Sequence, residues 1–250
     1  MGYLLADWIK VPTITTDQMR EVDRLMIEEF NVQLLQMMEN AGRNLAELAR
    51  RLLGGSVGGR LISIGIGKGN NGGGGQVAAR HLSNWGATVM LLAESDSFSG
   101  TPEEQWKILQ QLPIESRFGD SVSDTFEEHR PHLVIDAVIG YGLTGSPSGW
   151  SAHIIECINQ LDCPTLALDL PSGLDGTTGE THEPCVKATS TLTLALPKIG
   201  LISKHAQKVT GTLYLADISV PPALYEKLGI PAKPIFVRDT IIKLEPIEAK

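Results

Sequence analysis

The sequence predicts an α/β protein: a single doubly wound, mostly parallel Rossmann-like sheet with helices on both faces and N-terminal packing helices. From position 60 onward, short apolar runs alternate with helical patterns. Strands separated by helices of about ten to fifteen residues are typical of parallel βαβ units. Three of the apolar runs end in polar and glycine-rich clusters. Open parallel sheets bind their ligands at the carboxyl ends of the strands, so these clusters are the candidate site.

Two helices open the chain. The first begins at Thr15-Thr16-Asp17, and the second runs from Leu34 to Leu53, where Gly54-Gly55 end it. In the first helix one face is apolar at helical spacing; it carries Met19, Val22, Leu25, Met26 and Phe30. We expect both helices to pack against the main sheet or to form a dimer contact.

The strands and helices that follow are predicted from periodicity. Strands are expected at 61–67, 87–92, 132–139, 164–168, 189–196 and 211–217, and helices at 75–85, 102–112 and 151–161. The tail after Pro221 contains Pro222, Pro231 and Pro234, and we expect extended or irregular surface chain there. No repeat or low-complexity linker divides the sequence. We therefore expect one domain over 1–250, with a core at about 12–220 and no dehydratase domain.

Composition excludes several classes of protein. The 250 residues carry 21 Lys and Arg against 29 Asp and Glu, a formal net charge of -8, which disfavours nucleic acid and anionic membranes as partners. No stretch reaches the ~18 consecutive apolar residues of a membrane span. Three cysteines without a CxxC spacing speak against disulfides and structural zinc, so a cytoplasmic location is expected.

The first polar cluster is the glycine-rich segment 67–75. Eleven of the chain's 26 glycines lie within 54–75, and glycines in the segment 67–75 let the backbone take positive φ and let N–H groups approach an anionic or polar ligand. The spacing is neither a dinucleotide fingerprint nor a P-loop, which disfavours an oxidoreductase. Asn70 and Asn71 add amide groups that can bind a hydroxyl or, through oxygen, a hard cation. A flexible turn remains the simple alternative.

The second and third clusters each place a carboxylate after an apolar strand. Asp136 precedes the glycine-rich segment 140–145, and Asp169 precedes Leu170-Pro171-Ser172-Gly173. A buried carboxylate must be protonated, hydrogen-bonded or paired with a cation, so both residues could donate protons or bind a ligand. Ser172 lacks the Gly-x-Ser-x-Gly context of a nucleophile and is better interpreted as a hydroxyl or carbonyl ligand. Helix capping by Asp136 and an ordinary strand exit at Asp169 remain open.

Together, these motifs resemble those of the NAD(P)H-hydrate epimerases, the YjeF N-terminal domain family. The resemblance covers about 12–220, and the motifs occur in the family's order. It is carried by Asn70-Asn71-Gly72-Gly73, Asp136-Ala137-Val138-Ile139-Gly140 and Asp169-Leu170-Pro171-Ser172-Gly173, with further similarity at 15–19, Asp23, 38–42, 188–189 and Lys198-Ile199-Gly200.

The resemblance implies epimerisation of the 6-hydroxyl of hydrated NADH or NADPH. A separate dehydratase would then act on the product. The implied potassium ligands are Asn71, Asp136 and Ser172. The implied substrate contacts are Asn70, Asn71, Gly72, Gly73, Gly74, Gly140, Tyr141, Gly142, Leu143, Thr144, Gly145, Ser146 and Asp169. We also expect a homodimer with a small-molecule substrate.

Proton transfer is assigned to a carboxylate. Asp136 is the first choice because it ends an apolar strand between two glycine-rich loops, where water is limited, and Asp169 is the alternative. One departure from the family pattern is Gly74, which stands where an acid is usual. That departure favours the alternative function, a non-catalytic member that binds a nucleotide-like ligand or a protein partner.

Overall fold

A computed structural model describes residues 3–6, 9–119, 122, 125–126 and 129–246. Its described strands form one ten-stranded sheet in the order β2-β1-β10-β9-β8-β7-β6-β3-β4-β5. The bounds are β1 Tyr3–Ala6, β2 Ile9–Pro12, β3 Leu61–Ile66, β4 Thr88–Ala93, β5 Glu115–Phe118, β6 Leu133–Ala137, β7 Thr165–Leu168, β8 Ser190–Leu194, β9 Thr212–Ala216 and β10 Ile241–Pro246. The run from β9 to β5 is parallel throughout, and β10, β1 and β2 extend it in antiparallel fashion. The predicted fold class is confirmed.

Helices connect the parallel strands. Their bounds are α1 Thr16–Glu28, α2 Leu34–Leu52, α3 Asn70–Asn84, α4 Thr101–Leu109, α5 Gly149–Asn159, α6 Gln207–Thr210 and α7 Pro222–Lys227. The predicted start of α1 is confirmed: the Thr15 hydroxyl accepts from the Gln18 amide, and the Gln18 side chain accepts from the Thr15 amide. This reciprocal capping box satisfies two N–H groups that a helix start otherwise leaves unpaired.

Both faces of the sheet are covered, as parallel sheets require. Leu133 and Ile135 of β6 pack in one apolar cluster with side chains of α2, α3 and α4. Val134, on the opposite face, packs in a second cluster with α5. A third cluster joins α1 and α7 to the antiparallel end of the sheet. This alternation along one strand explains why the predicted strands are almost continuously apolar.

The C-terminal tail was expected to be irregular surface chain, and that expectation is wrong. Helix α7 and strand β10 lie in it, and Ile242 and Leu244 are buried. The reason is long-range pairing: β10 lies antiparallel between β9 and β1, so its backbone bonds are made by distant parts of the chain. The prolines at 221–234 lie before β10 and do not interrupt it.

Across the described residues, no helix combines the length and apolarity that crossing a membrane requires.

Candidate active site

The site lies where the strand order reverses. Strand β3 pairs with β4 on one side and with β6 on the other, so the chain turns away from β3 and β6 in opposite directions and leaves a crevice at their carboxyl ends. A cavity of about 370 Å³ occupies this position. Its lining comprises Met19, Asp23, Leu34, Met37, Met38, Ala41, Gly69, Asn70, Asn71, Gly74, Val138, Ile139, Gly140, Tyr141, Gly142, Leu168, Asp169, Leu194, Lys198 and Ile218.

The glycine-rich segment serves close packing rather than unusual backbone conformation. Helix α3 begins at Asn70, not near Gly75 as predicted, so four consecutive glycines lie inside the helix. None of the glycines in 65–75 uses the positive φ that glycine permits. A Cβ on Gly72 would lie 1.8 Å from the carbonyl oxygen of Gly67, and a Cβ on Gly67 would lie 2.0 Å from that of Val138. Three backbone segments therefore meet where a side chain could not fit.

The N-terminus of α3 opens toward the cavity. Its N-cap residue is Gly69, which offers no side chain to cap the first amide groups. Gly69, Asn70 and Asn71 all line the cavity. Unsatisfied N–H groups and the helix dipole make such a terminus favourable for an anion such as a phosphate.

Asp136 lies behind the cavity and is fully buried. Its Oδ1 accepts from the Ser172 hydroxyl at 2.6 Å, and its Oδ2 accepts from the Ser172 backbone N–H at 2.8 Å. Burial raises the pKa of Asp136 to about 6, although the hydrogen bonds from Ser172 and Val138 oppose this shift. Asp136 is not among the described residues that line the cavity, and its hydrogen-bond donors are neutral groups. None of these donors carries a positive charge, so they do not neutralise the negative charge of the ionised Asp136 carboxylate.

The surroundings of Asp136 fit an alkali cation. Asn71, Asp136 and Ser172 supply amide, carboxylate and hydroxyl oxygens, the donor types that hard cations prefer. The Asn71 Nδ2 atom is buried without a hydrogen-bond partner, and its Oδ1 lies 3.0 Å from where a Cβ on Gly140 would stand. Rotating the side-chain amide of Asn71 by 180° would place its oxygen where the unpaired nitrogen now lies. Within the described ranges, no group of three or more His, Cys, Asp or Glu side chains is arranged to hold a metal ion.

Asp169 faces the cavity and forms a buried ion pair. It follows β7 with a φ of 67°, and its side chain is held by Lys198, whose Nζ lies 2.5 Å from Oδ1. Its Oδ2 accepts from the Tyr141 amide at 3.3 Å. Asp169 is 2% exposed and Lys198 is 0% exposed. A carboxylate and an ammonium group are thus fixed side by side at the base of the crevice.

A second carboxylate reaches the cavity from α1. The Tyr141 hydroxyl donates to Asp23, which ties the loop after β6 to the helix. Burial raises the pKa of Asp23 above its usual value. Burial, reinforced by the nearby Asp23 charge, also raises the pKa of Tyr141, so the phenol keeps its proton and remains a donor.

The predicted site residues separate into two groups. The cavity lining includes Asn70, Asn71, Gly74, Gly140, Tyr141, Gly142 and Asp169. Gly72 and Gly73 are buried in α3 and pack against backbone and Met38 instead. Leu143, Thr144, Gly145 and Ser146 lie farther along the loop, outside the lining, and the last three are exposed.

Sequence reasoning did not assign Lys198 or the α1–α2 wall to the site. Lys198 follows the buried apolar segment Ala195-Leu196-Pro197, which comes after β8, and a charge in such a place is a signal of a paired buried group. Asp23 shares the buried face of α1 with Met19 and Met26, which is a similar signal. The wall also includes Met37 and Met38, whose pattern is that of any core helix, so their role in the cavity required the fold.

Comparisons with known proteins agree with this architecture. The family model described as YjeF-related protein N-terminus matches residues 34–200. The chain is 42% identical over 231 residues to an NAD(P)H-hydrate epimerase of Dehalogenimonas lykanthroporepellens, covering 92% of this chain and 91% of that protein. It is 39% identical to a bifunctional NAD(P)H-hydrate repair enzyme Nnr of Moorella thermoacetica, covering 84% of this chain but only 41% of that protein.

A solved structure gives the same fold. The crystal structure of yeast ynu0 matches with a TM-score of 0.80 at 23% identity, covering 93% of this chain and all of that chain. At this identity the likeness concerns the fold alone. The sequence matches are closer and span most of the chain, including the three strand-end clusters. The chain belongs to the YjeF-related protein N-terminus family.

Proposed function

We propose that this protein epimerises hydrated NADH and NADPH at the carbon that bears the 6-hydroxyl group. The observation that carries the proposal is the buried Asp169–Lys198 pair, which faces a cavity next to the uncapped N-terminus of α3. The cavity thus combines proton-transfer groups with a phosphate-binding element. The relatives named NAD(P)H-hydrate epimerase support the assignment of the reaction.

Binding uses two parts of the crevice. The N-terminus of α3 would bind phosphate oxygens of the dinucleotide through its backbone N–H groups. The apolar wall of Met19, Met37 and Met38 would hold the hydrated nicotinamide ring, since methionine side chains adapt to flat or irregular surfaces. A cavity of about 370 Å³ cannot enclose a whole dinucleotide, so the remainder would extend along the loop after β6.

The reaction requires proton transfer on a carbon next to a ring nitrogen. The carbon–oxygen bond breaks as the hydroxyl takes a proton and leaves as water, and the nitrogen lone pair forms a double bond to the carbon. Water then adds to the opposite face and returns one proton, so atoms and charge balance. We assign the proton transfer to Asp169 rather than Asp136, because only Asp169 of the two lines the cavity. The carboxylates of Asp169 and Asp23 would also stabilise the cationic ring.

Asn71, Asp136 and Ser172 would hold a potassium ion. When bound, the ion supplies a positive charge that compensates the ionised Asp136. The role of these residues is to fix three loops, since Ser172 also accepts from the Ile139 amide at 2.8 Å and thereby joins the loops after β6 and β7. The product would pass to a dehydratase, an activity suggested by the longer bifunctional repair enzymes among the relatives.

The deciding experiment mixes the purified protein with both epimers of the hydrate and a dehydratase that accepts one epimer. We expect the unaccepted epimer to be consumed faster than its spontaneous rate. Asp169→Asn should return consumption to the spontaneous rate. Binding of the hydrate without any increase in the rate of epimerisation would instead identify a non-catalytic relative. The sequence feature that favours this alternative is Gly74, which stands where the family usually has a carboxylate.

A further inference from the structure

Lys198 has a geometry that a purely structural lysine does not need. Its Nζ donates to Asp169 Oδ1 at 2.5 Å and to the Leu194 carbonyl oxygen at 3.1 Å. An ammonium group carries three N–H donors, so these contacts within the described chain leave one for the cavity that Lys198 lines. We propose that Lys198 is a positioning residue that holds the Asp169 side chain aimed into the cavity during epimerisation. This inference rests on the proposed function.

Asp169 needs such support because its backbone is strained. A φ of 67° is uncommon for a residue with a side chain and persists only where neighbouring contacts enforce it. Its own N–H donates to the Leu192 carbonyl oxygen at 2.8 Å, which holds the backbone. Contacts from Thr193 and Tyr141 are long, at 3.4 and 3.3 Å. The close contact to the side chain is the one from Lys198.

The position of Lys198 is itself fixed from two directions. It forms a parallel bridge with Ile14, and the Ile199 amide donates to the Ile14 carbonyl oxygen at 2.7 Å. The segment before α1 therefore sets where the ammonium group lies. The Nζ atom also lies 5.7 Å from the centroid of the Tyr141 ring.

The cost of burying this pair argues against stability as its sole role. Buried ion pairs often contribute no more stability than apolar side chains of similar volume, whereas removing one partner is strongly destabilising. The charges facing Asp169 are Lys198 and, more distantly, Asp23, with the neutral phenol of Tyr141 between the elements. Without Lys198, the Asp169 side chain would lose its close contact at 2.5 Å and keep only the two long ones from Thr193 and Tyr141.

The test compares Lys198→Met, which keeps an unbranched side chain but removes the ammonium group, with Lys198→Arg, which keeps the positive charge. Lys204→Met, at an exposed lysine outside the cavity, is the matched control. At neutral pH we expect Lys198→Met to lower kcat about 10²-fold with a small change in KM, as for a misplaced catalytic group. Lys198→Arg should retain more of kcat, and Lys204→Met should match the wild type.

The split between kcat and KM and the rescue by arginine separate positioning from a purely structural role. A structural defect would change KM together with kcat, and Lys198→Arg would not retain more activity than Lys198→Met. Folding is checked by near-UV circular dichroism and by the double variant Lys198→Met with Asp169→Asn, which removes both buried charges and should recover the denaturation midpoint lost by Lys198→Met.

Each outcome decides the inference. A Lys198→Met protein with wild-type kcat, or one in which KM rises as much as kcat falls, would overturn the positioning role while leaving the epimerase intact. If the wild-type protein does not exceed the spontaneous rate, the proposed function fails and this inference fails with it. A lower kcat with little change in KM in Lys198→Met, together with the partial activity of Lys198→Arg, would support it.

Discussion

Replacing Gly72 with alanine tests whether the glycine-rich segment is required for backbone contact. The added Cβ would lie 1.8 Å from the Gly67 carbonyl oxygen, about 1.6 Å short of an ordinary contact. The loop at Gly67 cannot retreat freely, because its amide donates to the Ala137 carbonyl oxygen at 3.1 Å and its own backbone touches Val138. The first turn of α3 would have to move instead.

The expected cost follows from two opposing effects. Overpacking a tight interior costs about 1–3 kcal/mol. The atoms that the new Cβ would meet belong to the Gly67 backbone, which cannot rotate away as a side chain can, so we expect the upper end of this range. Alanine favours a helix interior over glycine by about 0.5–1 kcal/mol, which offsets part of the cost. We expect Gly72→Ala to lower the free energy of unfolding by about 2 kcal/mol, which corresponds to a fall in Tm of about 4–8 °C in a chain of this size.

Gly74→Ala is the matched control in the same helix. Its Cβ would meet only the Cδ2 atom of Leu168, at 2.7 Å, and the end of a leucine side chain can rotate away. Urea unfolding of both variants should show a lower midpoint for Gly72→Ala alone, with an unchanged slope. Equal midpoints for the two variants would refute the backbone-contact argument. Because Asn71 precedes Gly72, Gly72→Ala should also weaken ligand binding.

Three further predictions concern the charges of the site. The pKa of Asp136 is raised to about 6 in the folded protein, above its value in the unfolded chain, so the unfolded chain loses this proton at a lower pH. In choline buffer, the unfolding free energy of the wild type should therefore fall by about 3 kcal/mol relative to that of Asp136→Asn as the pH rises from about 4 to 6. A pH-independent difference between these proteins contradicts the assignment. Replacing choline with potassium at pH 7.5 should raise Tm in the wild type but not in Asp136→Asn, as thermal scans can show, and equal shifts in both would exclude Asp136 as a ligand. Gly74→Asp should bind the hydrate more tightly, because a carboxylate accepts hydrogen bonds from ribose hydroxyls, and titration calorimetry can measure this. Affinity no higher than that of Gly74→Ala would argue against that contact.

Local patterns were sufficient for six of the seven described parallel strands and for the first helix, whereas β5 was not predicted. The apolar runs of β3, β6 and β7 are read directly from the sequence, because strands buried on both faces are apolar throughout. The start of α1 follows from Thr15 and Gln18, whose contacts span three residues. Long-range pairing was not accessible in this way, because β10 pairs with β9 and β1, and neither partner can be identified from the residues of β10 itself.

The candidate site divides along the same boundary. By itself, the sequence determined that two carboxylates end apolar strands and that glycines and paired asparagines lie near them. Asp136 and Asp169 have the same local pattern, so it could not decide which of them faces the ligand. The tertiary structure decided this, because Ser172 surrounds Asp136 with hydrogen bonds behind the cavity, whereas Lys198, from 29 residues later in the chain, holds Asp169 at its surface. Charge pairing acts through space, and the distance between these partners is set only when β7 and β8 pair.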